Sequence, residues 1–319
     1  MNFSIIVSVA VAATFGAVSL LASGLLALIW PAAETRLERL APARRAWWLF
    51  ALRLSPTALA LLASVSVTLP SFLEFEPRDT NEVAGRILSA LAAAGAGLLA
   101  FGLARAIWSA TRAKYLVRRL TTSATPVVVD GAGMPAWRLE IPVPVVALRG
   151  WRRPRLYVSG AVLDACAPRL LAAMAAHETG HHRAADNLKS LLLSACADPL
   201  VLTSVGRRMA VLWETATEEA ADDAAVRAGT RPEDLVDALL AVARLGTRES
   251  WARVPAAATA FYRGECLERR VRRLLDGPSV ESGDTRRGRR RAAILILSVA
   301  WLLAAEALHR PVFRLVEQG

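Results

Sequence analysis

No charged side chain occurs between Met1 and Glu34. A helix rises 1.5 Å per residue and the hydrocarbon core of a bilayer is about 30 Å thick, so about 20 apolar residues cross it. The uncharged stretch exceeds that length, exceeds the core of a cleaved signal peptide, and has no Lys or Arg before Arg36. A membrane-spanning helix over residues 4–30 is therefore expected, and it stays attached. Composition agrees, because 54% of the residues are AVILMFWYC, more than a water-soluble domain needs to cover its own core. Three more apolar runs, 54–73, 87–104 and 292–308, are expected to span, with Arg53, Trp47 and Trp48 anchoring the head of the second at the interface. Such a chain is neither disordered nor a repeat array.

The net charge of +11, from 39 Lys+Arg against 28 Asp+Glu, could suggest nucleic acid. Its distribution argues instead for membrane orientation. Arg36, Arg39, Arg44 and Arg45 lie between the first two spans, whereas Glu74, Glu76, Asp79 and Glu82 offset Arg78 and Arg86 between the second and third. Basic clusters recur at 105–119 and 286–291. By the excess of Lys and Arg on cytoplasmic loops, residues from about 114 to 291 face the cytoplasm and both termini lie outside, as in a bacterial inner membrane protein. The expected organisation is a membrane bundle over 1–113, a cytoplasmic domain over 114–278, a basic linker over 279–291, a fourth span over 292–308 and a short outside tail over 309–319. Direct nucleic-acid contact is not expected. Three separated cysteines, Cys166, Cys196 and Cys266, make neither a disulfide framework nor a thiolate metal site, and read as small buried apolar residues.

The central region is expected to be mainly α with a small β element. Leu139–Leu148 and Arg155–Val158 read as strand-like pieces about a Gly150 turn, with Pro142 and Pro144 suiting an edge strand. Pro168 sits well at a helix start, Asp198-Pro199 breaks the next helix, and a further helix runs from about Val205 to Ala228 before Gly229 and Pro232.

Three of the four histidines fall in one short string, His177-Glu178-Thr179-Gly180-His181-His182. Its first five residues are H-E-x-x-H. On a helix, His177 and His181 share a face and can converge on one Zn²⁺, while Glu178 projects beside the metal as a base and His182 points about 100° away. A catalytic zinc needs a third protein ligand and an open position. The carboxylates of Trp213–Asp223 supply candidates: Glu218 with Asp222 one turn on as partner of a ligand histidine, or Glu219 with Asp223 in the same relation. Spacing alone does not choose between them.

These residues resemble the gluzincin membrane metallopeptidases, and among them the BlaR/MecR-type signal-transducing peptidases, in which H-E-x-x-H is followed on a later helix by E-x-x-A/C-D. The matching pieces are Pro144 to Ser159 with Arg153-Pro154-Arg155-Leu156, His177 to Asn187, Trp213-Glu214 through Glu218-Glu219-Ala220-Ala221-Asp222, and Leu267-Glu268-Arg269-Arg270-Val271 with Leu274. The likeness covers roughly residues 115 to 275 and the span count; HtpX-type and CaaX-protease-type enzymes share the same motifs. The resemblance implies His177, His181 and Glu218 as ligands of one zinc, Glu178 as catalytic base and Asp222 as the ligand's partner. It also implies three spans before a cytoplasmic zinc domain and a fourth after it. Relatives of the BlaR/MecR type carry a penicillin-binding sensor beyond the fourth span, whereas this sequence ends about ten residues past His309, so direct β-lactam sensing is not expected.

The expected activity is a zinc-dependent endopeptidase. Zinc lowers the pKa of its bound water towards about 7, and Glu178 takes the proton and returns it to the leaving amine. Tyr157, Tyr262 and several arginines are candidates to steady the oxyanion, and an extended substrate could pair with the edge strand near Leu139–Leu148. The expected substrate is a cytoplasmic regulator, such as a winged-helix repressor, cleaved in signal transduction. The alternatives are an HtpX-type quality-control protease of membrane proteins and an inactive membrane scaffold.

Overall fold

Apolar length builds the first layer of the structure, a computed structural model that describes residues 3–75, 85–129, 132–141, 143–149, 154–246 and 264–277. Helix α1 covers Phe3–Leu37, and α2 covers Pro42–Ala63. A π-helical turn, Ser64–Thr68, carries α2 into α3, Leu69–Phe75, and α4 covers Arg86–Thr121. Among the described residues, three stretches are long and apolar enough to cross a membrane: Phe3–Leu37, Pro42–Leu73 and Arg86–Tyr115. The second helix starts at Pro42 rather than near Leu54, because proline suits the first helical position and the arginines that follow are good helix formers. Arg53 consequently sits inside a helix and is no interfacial anchor: it is buried, with Nη1 2.7 Å from Asp198 Oδ2. Residues 279–291, 292–308 and 309–319, expected as linker, fourth span and tail, lie outside the described residues.

α1 and α4 cross at backbone contact. A Cβ on Gly95 would stand 2.0 Å from Ala12 O, and one on Gly16 would stand 2.4 Å from Leu91 O. Small residues at the crossing, Ala12 and Gly16 on α1 and Gly95 on α4, are what let membrane helices approach this closely.

Four short strands follow: β1 Thr125–Val127, β2 Ala136–Leu139, β3 Val146–Arg149 and β4 Arg155–Ser159, in spatial order β1-β2-β4-β3. β2 and β4 are parallel and the outer pairings are antiparallel. The single strand expected over 139–148 is thus two strands on opposite sides of β4. Pro144 falls in their connection, where it has no ladder hydrogen bond to lose, while Pro142 and Gly150 lie outside the described residues.

The remaining elements are α5 Gly160–Ala165, α6 Pro168–Ala184, α7 Asp186–Ser194, a 3-10 turn Pro199–Leu202, α8 Ser204–Arg227, α9 Pro232–Leu245 and α10 Gly264–Asp276. Pro168 and Pro232 open their helices at the first turn, and Thr203 caps α8 by accepting from Gly206 N at 3.1 Å. One face of the sheet, with Leu148, Leu156 and Val158, packs on Leu170, Leu171 and Met174 of α6. α8 belongs to two further cores. Met209, Trp213 and Ala216 pack against Leu26, Trp30 and Leu49 of the first two membrane helices, and Ala225 joins Ala173, Leu239 and Leu274. Cys166 and Cys196 are free and buried, and the side chain of Cys266 lies outside the described residues.

Two alanine substitutions test the α1–α4 crossing. Gly95→Ala should cost about 1–3 kcal/mol of stability through overpacking. Gly97→Ala, whose Cβ would meet nothing within 4 Å, should be neutral or gain up to about 1 kcal/mol from helix propensity. Thermal unfolding of the two detergent-purified variants distinguishes them; equal stability would place the crossing elsewhere.

Candidate metal centre

Two helices make the site. α6 presents His177 and His181 one turn apart, and their Nε2 atoms face each other at 3.2 Å. α8 brings Glu218 against them, with Oε2 3.5 Å from His177 Nε2 and Oε1 3.4 Å from His181 Nε2. The carboxylate thus faces the two imidazoles with one oxygen each, at separations close to the roughly 3.3–3.5 Å between ligand atoms on one ion bound at about 2.0–2.2 Å. Among the described residues, His177, His181 and Glu218 form a group able to hold a metal ion. Glu218 Oε2 is buried and has no aligned hydrogen bond, its charge being met by ion pairing alone. Two imidazoles and a carboxylate suit a first-row divalent ion such as zinc or iron.

The glycine of His177-Glu178-Thr179-Gly180-His181 explains how the helices come so near. A Cβ there would lie 3.1 Å from both Cα and O of Ala221. Gly180 therefore seats α6 directly on the turn of α8 that follows Glu218.

Each ligand imidazole is oriented from behind. His177 Nδ1 lies 2.8 Å from Asp222 Oδ1, and His181 Nδ1 lies 3.0 Å from Asp186 Oδ2. With the Nδ1 protons donated to carboxylates, both Nε2 lone pairs face the common point. Asp186 reaches back because Ala185, between α6 and α7, adopts φ 56°, ψ 37°. That left-handed conformation costs a non-glycine residue about 1–2 kcal/mol.

Arg270 of α10 completes the surround. It is buried, donates to both oxygens of Asp222 at 2.7 and 2.8 Å, and places Nη1 3.0 Å from Glu218 Oε2 as an ion pair. Burial works against charge on Glu218 and Asp222. His181 and Arg270 nevertheless hold Glu218 well below the usual carboxylate range, and Arg270 with His177 does the same for Asp222. Burial would likewise lower both histidines, but Asp222 and Glu218 raise His177, and Glu218 and Asp186 raise His181 well above its ordinary value. The pocket attracts positive charge, and protons compete with a cation for the same lone pairs.

The other residues singled out in the sequence fall as follows. Glu178 is half-buried and accepts from the backbone N–H of Leu148 on β3 at 3.1 Å. His182 is not part of the donor group. Glu219 faces away, buried between Arg45 of α2, which donates to its Oε2, and Arg269, whose Nε is 2.8 Å from its Oε1. Asp223 is engaged by both oxygens with Arg273, and burial still raises its pKa. Tyr157 stacks near Trp137 at 5.9 Å between ring centroids, on the sheet face opposite the buried Leu156 and Val158 that meet α6, so it is not an oxyanion donor; Tyr262 lies outside the described residues. Asp186 and Arg270 stand in the motif strings, yet spacing assigned them no part; Arg45 had no signal beyond its charge.

Comparison with protein-family models, curated proteins and solved structures returns no match to this chain.

Metal analysis of purified variants checks the donor set. Replacement of His177, His181 or Glu218 by alanine should abolish retention of one divalent ion per chain, and His182→Ala and Glu219→Ala should keep it. Asp186→Ala should weaken affinity by roughly 10–100-fold, the usual effect of losing a ligand's hydrogen-bond partner. Loss with Glu219→Ala and retention with Glu218→Ala would shift the ligand by one residue.

Proposed function

We propose that the chain is a membrane-embedded zinc endopeptidase. The observation that carries this reading is the convergence of His177, His181 and Glu218 into one group able to hold a metal ion, with Glu178 on the same helix as the two histidines. A zinc ion held there supplies Lewis acidity, which acidifies water and polarises a scissile carbonyl.

The protein's own groups do the rest. Glu178, one oxygen tethered to Leu148 N–H, takes a proton from the attacking water with its other oxygen. The water oxygen bonds to the carbonyl carbon, the C–N bond breaks, and Glu178 returns the proton to the leaving nitrogen. β3 is an edge strand whose Leu148 N–H points away from β4, and an extended peptide lies along that edge, fixed by backbone hydrogen bonds. Asp222 and Asp186 hold the imidazoles in register throughout.

The arginine distribution supports an orientation with the zinc domain in the cytoplasm, a fourth span after it and both termini outside. A cytoplasmic regulator, such as a transcriptional repressor, is the substrate class that this orientation and the motif resemblance favour.

Glu178→Gln separates chemistry from metal binding, since glutamine keeps the volume but accepts no proton at neutral pH. Metal content should be unchanged and peptide cleavage should fall by about 10²–10⁴-fold or more. Turnover like the wild type, on any peptide the wild type cuts, would end the peptidase reading.

A further inference from the structure

A second polar site lies where the membrane helices meet the domain that carries the metal centre. A cavity of about 320 Å³ is lined by Arg53 of α2, Arg105 of α4, Ser190 and Ser194 of α7, and Arg207 and Trp213 of α8; Glu214 also lines it. Arg53 is satisfied by Asp198. Two other donors in the wall are not. Arg105 Nη1 and the indole N–H of Trp213 are buried without a hydrogen-bond partner, although Trp213 as a whole is only 8% exposed. Leaving such groups unpaired costs about 1–3 kcal/mol each, so their presence in the wall of a cavity points to an acceptor that occupies it.

The surroundings select the acceptor. The elements that line the cavity expose large apolar side chains: Trp108 lies one turn from Arg105 on α4, Leu191 and Leu192 follow Ser190 on α7, and Leu202 precedes Arg207. A water-soluble protein rarely exposes such a collar, and it is continuous with the third membrane-crossing stretch, Arg86–Tyr115. In the orientation proposed above the cavity lies on the cytoplasmic side, where basic pockets between membrane helices bind anionic lipid headgroups.

We propose that this cavity is a binding site for the phosphate headgroup of an anionic phospholipid, held by Arg105, Arg207 and the Trp213 N–H, with its acyl chains against the Trp108, Leu191 and Leu202 collar. The arginines supply charge and several N–H donors for phosphate oxygens, and the collar distinguishes a lipid from a free anion. The site stands independently of peptidase activity. It places a lipid against the helix that carries Glu218, on the turn that also packs on the first two membrane helices.

Native mass spectrometry of the full chain in detergent tests it, with titrations of phosphatidylglycerol, phosphatidylcholine and inorganic phosphate. One phosphatidylglycerol per chain should be retained in preference to phosphatidylcholine, and millimolar phosphate should not displace it. Arg105→Gln and Arg207→Gln should each weaken retention about fivefold, the contribution of one basic residue at an anionic lipid surface. Arg207 is exposed, so its replacement leaves the core intact and decides the matter if Arg105→Gln does not fold. Equal retention of the two lipids, displacement by phosphate, or retention unchanged in Arg207→Gln would overturn the proposal.

Discussion

Four carboxylates on two turns of α8 are buried: Glu218, Glu219, Asp222 and Asp223. Like charges so close, taken out of water, would unfold the helix or stay protonated unless each met a cation. Each does, and the cations come from two other elements, α10 and α2. Arg270 serves Glu218 and Asp222, Arg273 serves Asp223, and Glu219 lies between Arg269 and Arg45. Removing one partner of a buried pair costs about 3–5 kcal/mol, because the other charge is stranded. The buried charges beside the candidate site are therefore compensated only when α2, α8 and α10 are all in place.

The same arrangement ties the membrane helices to the site. Successive helical residues point about 100° apart, so Glu218 can face the histidines while Glu219 faces α2. A second bolt lies at Cys196-Ala197-Asp198: Asp198 accepts from Arg53 and Thr57, Ala197 N donates to Thr57 Oγ1 at 2.9 Å, and Ser19 of α1 donates to Ala197 O at 3.3 Å. Arg45 of α2 therefore contacts the residue next to Glu218, so the bundle and the candidate site share one buried charge pair.

Local periodicity made part of this legible. H-E-x-x-H on one helix and E-x-x-A-D on another are patterns within four or five residues, and helix geometry converts them into shared faces. The uncharged first stretch and the Pro168 helix start are local in the same sense. What the spacing did not reveal is tertiary. Arg270 meets Asp222 across 48 positions and Arg45 meets Glu219 across 174, so neither pairing leaves a periodic trace. Arg53 beside Trp47 and Trp48 looks like an interfacial anchor until Asp198 is brought to it by folding. The prolines of 139–148 suit a single edge strand on local grounds, whereas its split into β2 and β3 on opposite sides of β4 depends on the chain crossing the sheet.

X-ray absorption at the zinc edge, on the purified full chain loaded with one equivalent of zinc, examines the donor set most directly. Two imidazole nitrogens at about 2.0–2.1 Å with imidazole multiple scattering, and oxygen at about 2.0–2.2 Å, are expected for His177, His181 and Glu218. A sulfur shell at about 2.3 Å, or a spectrum of oxygen alone, would contradict a centre built from α6 and α8.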